Sequence, residues 1–177
     1  MWLMWCCPMP SSHAAAIRFS VQPQRRGAST HMFRASASSL TAACGALHNA
    51  TSEEALAAAL IEIVGCFDGD GELAGLCELL RGNGTVTYLC RLAGHPTPLI
   101  HQASLLLLAS LTTSMTDPNA ERTKDQMKEG GAIPTIISQM GSATALTVAY
   151  ACAVIQNTSI DLDVITALHA DGGSGVE

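Results

Sequence analysis

Two side chains with nucleophilic chemistry stand near each other in this sequence, Cys90 and His101. A thiol becomes a nucleophile when an imidazole takes its proton, and a third group must hold that imidazole in place. No third group is evident here, so an enzyme of unknown class using Cys90 and His101 is the weakest of three readings. The stretch from Cys66 to Cys77 has acids at the third and fifth positions of a calcium loop, Asp68 and Asp70, and Gly71 at the sixth. Cysteines fill its first and twelfth positions, so the bidentate glutamate is missing and the segment reads as an acidic turn. His48 and His95 read as solvated turn histidines. Asp161 and Asp163 suit helix capping better than acid–base work. Gly82-Asn83-Gly84 lacks the Lys and Ser/Thr of a phosphate loop. The seven cysteines form no CxxC pair, and Cys6-Cys7 has no partner at zinc spacing. No catalytic residue, cofactor or metal is assigned.

The elements that would position such groups are helical. The chain is 48% hydrophobic, 14% charged and only 4% aromatic, with Ala and Leu dominant. That composition builds a core and favours helices over strands, so the expected class is all-α. The cysteines fall mostly in apolar stretches and read as core residues of a reducing compartment. Charge is unevenly spread. Residues 1–39 hold Arg18, Arg25, Arg26 and Arg34 and no acid, while the rest holds five Lys and Arg against all fifteen acids. An acidic body repels phosphate backbones, which argues against nucleic acid and for a basic protein or peptide. The acids equally serve to keep an apolar domain soluble.

Two segments follow. Residues 1–39 read as a targeting or disordered tail. Met1–Pro10 is apolar but broken by two prolines, well short of the roughly 20 residues of a membrane span. The Ser-, Ala- and Arg-rich remainder fits an organelle transit peptide, a disordered tail or a wrongly included upstream stretch. Residues 40–177 form the folded domain, divided by Gly69, Gly71, Gly82, Gly84, Gly94, Pro96, Pro98, Pro118, Gly130 and Gly131. Thr51-Ser52-Glu53-Glu54, a hydroxyl followed by acids, and Asp117 before Pro118 read as helix starts.

That domain repeats. A shift of 47 residues aligns Ala57, Ser104 and Ala151, then Leu60, Leu107 and Val154, without a gap. It also lays Gly84–Leu89 on Gly131–Ile136, Asp70 on Asp117 and Arg81 on Lys128. A weaker first copy starts at Ala37. Periods of about 40 to 50 residues mark solenoids, whose units bury their apolar faces only by stacking.

Two runs carry a family likeness. Gly130-Gly131-Ala132-Ile133-Pro134-Thr135-Ile136-Ile137 resembles the opening of the second helix of an armadillo repeat. Tyr150–Thr158 resembles the third helix, and Asn119–Glu129 the short first one. The resemblance covers about residues 37–177 and implies an armadillo-like α-solenoid of about three repeats. It further implies a right-handed superhelix whose third helices line a partner-binding groove. The groove candidates are His101, Ser104, Gln156 and Asn157, with Glu54 and Glu62 from the first copy. The tryptophan and asparagine ladder of importin-type grooves is absent: Trp2 and Trp5 lie outside the repeats, and only Asn157 matches. The basic groove of catenin-like members is also missing. Leu162–Ala170 and Gly172-Gly173 look like a fourth repeat that stops at Glu177, as in a fragment or a frayed end. The expected function is a non-enzymatic protein-binding scaffold or adaptor in the cytoplasm. The alternative is a piece of a larger ciliary, trafficking or ubiquitin-ligase assembly.

Overall fold

The computed structural model describes residues 37–67 and 73–159. Every regular element among them is an α-helix, and none is long and apolar enough to cross a membrane. The expected cap at Asp161 and the fourth repeat beyond it lie outside the described residues.

Local chemistry sets most helix starts. After α1 (Ala37–Asn49), α2 (Glu53–Phe67) begins where the Ser52 hydroxyl accepts the Ala55 amide at 3.2 Å, with Glu53 and Glu54 at the positive end of the helix dipole. Next come α3 (Leu73–Gly82) and α4 (Thr85–Leu92), joined through Gly84 at φ 77°. The same corner recurs between α6 (Ala120–Glu129) and α7 (Ala132–Gln139), where Gly131 has φ 64°. Both are left-handed positions that only glycine takes cheaply. Between these pairs lies α5 (Pro98–Leu111), with Pro at its first position, and α8 (Ala145–Thr158) ends the described chain. The expected start at Pro118 moves two residues on. Asp117 accepts the Asn119 amide at 2.9 Å in a turn, and α6 proper begins at Ala120.

The three long helices pack side by side in the order α2, α5, α8, with α1 flanking α2. They run in one direction. Near their starts the Thr97 hydroxyl donates to Glu53 at 2.7 Å; near their ends Asn157 Nδ2 donates to the Ala109 carbonyl at 3.0 Å. The shorter helices back them: α4 packs on α5, and α7 packs on α8.

The 47-residue period holds without exception from α3 to α8, where every helix boundary of one set recurs in the next. It fails for α2. Its last residue, Phe67, lies 44 residues before Leu111. The link from α2 to α3 is three residues shorter than the link from α5 to α6, so the true alignment of α2 is 44. In that register Leu60, Ser104 and Ala151 form one row, and Ile63, Leu107 and Val154 another; all six are buried. The gap-free match at 57, 104 and 151 is therefore corrected. A three-residue slip is nearly one helical turn, which is why apolar residues still coincided under the wrong shift.

Candidate protein-binding face

The same register defines the rows that the core does not use. Ala55, Leu99 and Leu146 form one. Ala58, Gln102 and Ala149 form the next, followed by Glu62, Leu106 and Ala153, then Gly65, Ala109 and Gln156. None of these side chains is buried, in any of the three helices. Leu99 is 39% exposed, one of three large apolar side chains so open. The face is small-residued and apolar, and Glu62 is its one ionisable group.

Charge is segregated around it. Every described Lys and Arg lies on α3, α4 or α6, and none on α2, α5 or α8. Most are spent on ion pairs. Arg81 is buried against Asp117, with Glu78 at 2.8 Å and the Thr123 hydroxyl at 3.1 Å. Arg122 reaches Glu78 at 2.9 Å, and Lys124 reaches Glu121 at 2.7 Å. By contrast α2 carries three glutamates and no cation. The Glu54 carboxyl sits below its ordinary value because backbone amides and the Ser52 hydroxyl stabilise its charge.

The predicted groove residues divide. Gln156 is exposed on an open row, as is Glu62, and Glu54 is exposed on the first turn of α2. His101 and Ser104 do not line a surface. Ser104 is fully buried, and its hydroxyl donates to the Ile100 carbonyl at 2.8 Å. His101 is 7% exposed. Its Nδ1 lies 2.9 Å from the His95 carbonyl, which can only accept, so Nδ1 carries the proton. Its Nε2 then accepts the Thr147 hydroxyl of α8 at 2.9 Å, while Gln102 Nε2 donates to that same oxygen at 3.0 Å. The His101 partner on α8 is tertiary and invisible in sequence, while Ser104 satisfies its hydroxyl on its own helix and so packs as a small core residue. Asn157 is half-buried. It joins the ends of α8 and α5 through the Ala109 carbonyl and, at 3.4 Å, the Thr112 hydroxyl.

Cys90 and His101 are not arranged as a nucleophile and base. Both ring nitrogens of His101 are engaged elsewhere, and burial pushes the Cys90 thiol up to about 11. His48 is helical rather than a turn residue; its ring packs 5.1 Å from that of Tyr88, and Nε2 meets the Thr85 hydroxyl at 3.2 Å. Among the described residues no three His, Cys, Asp or Glu side chains converge as a metal site would need.

Leu99, Leu106 and Leu146 were missed by sequence reasoning. The apolar residues of α5 run almost all the way round it, so its own periodicity does not separate core from surface. Only alignment with Ala55 and Glu62 of α2 shows which side stays open.

No family model matches the chain, and no curated protein matches it.

Proposed function

We propose that this chain is an armadillo-type repeat protein that works as a non-enzymatic scaffold or adaptor. It holds a peptide or protein partner against the open face of α2, α5 and α8. In this reading α3–α5 and α6–α8 are two complete three-helix repeats, α1 and α2 are the remainder of an earlier one, and the open face is the concave groove. The observation that carries it is the four-row surface left unburied across three parallel helices, made of Leu, Ala and Gly apart from Gln102, Glu62 and Gln156, since an exposed and largely apolar patch marks an interaction site. The reading places the protein in the cytoplasm, where its free cysteines stay reduced. The arrangement of Cys90 and His101 gives the enzyme alternative no support.

Peptide selection from a displayed library tests it. Peptides enriched on the wild-type chain are expected to lose binding to Leu106→Glu at an unchanged melting temperature. Enrichment of none, or equal binding to both proteins, contradicts it.

A further inference from the structure

We infer that the open face recognises a short amphipathic segment of another protein in one orientation, with a Lys or Arg over α2 and apolar side chains over α5 and α8. The inference rests on the proposed binding role of this face and adds the chemistry of what it binds. Three observations lead to it.

The face is charged at one edge only. Its row of Glu62, Leu106 and Ala153 runs from a carboxylate on α2 to aliphatic side chains on α5 and α8. Glu54 adds a second exposed carboxylate on α2. No Lys or Arg on α2, α5 or α8 neutralises them. A cation from outside is the complement to that edge, and an apolar chain is the complement to the rest.

The floor is shallow. Ala58, Ala149, Ala153 and Gly65 keep side chains short, so a visiting backbone can approach closely, while Leu99 and Leu106 stand up as contacts.

The amides are already committed. Asn157 donates to the Ala109 carbonyl and Gln102 to the Thr147 hydroxyl. They are engaged within the fold, so apolar fit and the charged edge carry the selectivity, and Gln156 is left as the exposed amide.

Other occupants fit less well. A second copy docked face to face brings no cation to Glu62, since α2, α5 and α8 carry none. A phosphate-bearing partner finds no cation on these three helices.

Adjacent packed helices lie about 8 to 10 Å apart and extended chain advances about 3.3 Å per residue, so about six residues cross the face. The probes are therefore two fluorescent ten-residue peptides. Each alternates Leu and Ala; one bears two lysines at its N-terminal end, and the other two glutamates at the same positions. A second pair carries the charges at the C-terminal end, so either chain direction is covered. Binding to the full chain is read by anisotropy. One lysine peptide is expected to bind about fivefold tighter than its glutamate twin, the ratio set by exchanging an attractive exposed pair for a repulsive one. The gap is expected to close at about 1 M salt, where screening is nearly complete. Glu62→Lys, a change at an exposed position, is expected to invert the preference. If lysine and glutamate peptides bind alike, or Glu62→Lys leaves the order unchanged while Leu106→Glu abolishes binding, the charge-directed recognition is wrong and the face still binds. If no peptide binds and Leu106→Glu changes nothing, the face itself is wrong. Self-association of the wild type that Glu62→Lys alters overturns the proposal in favour of a second copy.

Discussion

Arg81 and Asp117 form an ion pair sealed from solvent, joining the end of α3 to the turn that starts α6. The pair spans the α4–α5 hairpin. It is held on one side by Glu78 and on the other by Thr123 and the Asn119 amide. A buried charge left without its partner is expensive, whereas removing both charges together is far less so.

Asp117→Asn is therefore expected to destabilise the fold by about 3 to 5 kcal/mol, the usual loss on orphaning a buried charge. The double variant Arg81→Met, Asp117→Leu should recover most of it. Urea unfolding of the two variants checks this. Equal losses would mean that the pair itself, rather than the orphaned guanidinium, was the stabilising element.

Glu78 gives a pH dependence. Hydrogen bonds from Arg81, then from Arg122, hold its carboxyl below the ordinary 4.5. A depressed folded value stabilises the fold above the unfolded value, and that contribution is lost as pH falls through the folded one. The melting temperature of the wild type is thus expected to exceed that of Glu78→Gln near neutrality, with the gap closing in acid below pH 4.5. A gap independent of pH would rule out a charge contribution from Glu78.

Two glycines should respond in opposite directions to alanine. Gly131 sits at φ 64°, where a Cβ is strained by about 1 to 2 kcal/mol, so Gly131→Ala destabilises. Gly65 lies inside α2 on the open face, and an added Cβ meets nothing within 4 Å. Gly65→Ala should stabilise by about 0.5 to 1 kcal/mol through helix propensity alone. Thermal melts of the pair decide it; loss at both positions would place Gly65 in a contact rather than on an open row.

The cysteines sort by burial. Cys77 and Cys90 are buried with thiols pushed up to about 11, while Cys152 is exposed on α8. Maleimide at neutral pH, mapped by mass spectrometry, should modify Cys152 well before Cys77 and Cys90. Fast labelling of Cys90 in the folded chain would reopen a nucleophilic role for it.

The helices from α3 to α8 were legible because their breaks carry local chemistry. Gly84 and Gly131 mark corners with positive φ, and Pro98 marks a first turn. The site was less legible. Ser104 reads as a polar surface residue, yet it satisfies its hydroxyl on the Ile100 carbonyl and belongs to the core. His101 does the same with partners on two other segments. Leu106 stands in the unbroken run Leu105–Leu108 and is only partly buried, since the side that α5 leaves open depends on what packs against it. The Arg81–Asp117 pair was hidden for a different reason: the 47-residue match relates Arg81 to Lys128, whereas its partner belongs to the following unit. Register was the remaining error, because a slip of nearly one turn leaves Leu60 opposite a buried residue in either alignment, Leu107 under the shift of 47 and Ser104 under the true one.

The most direct test of the central claim compares Leu106→Cys with Leu107→Cys, one on the open row and one in the core. Thiol labelling of each is followed with and without a peptide selected on the wild-type chain, with Arg91→Cys on α4 as the control. The account predicts fast labelling at 106, none at 107, and protection by the peptide at 106 but not at 91. Labelling at 107 as fast as at 106, or a bound peptide that leaves 106 fully reactive, would contradict it.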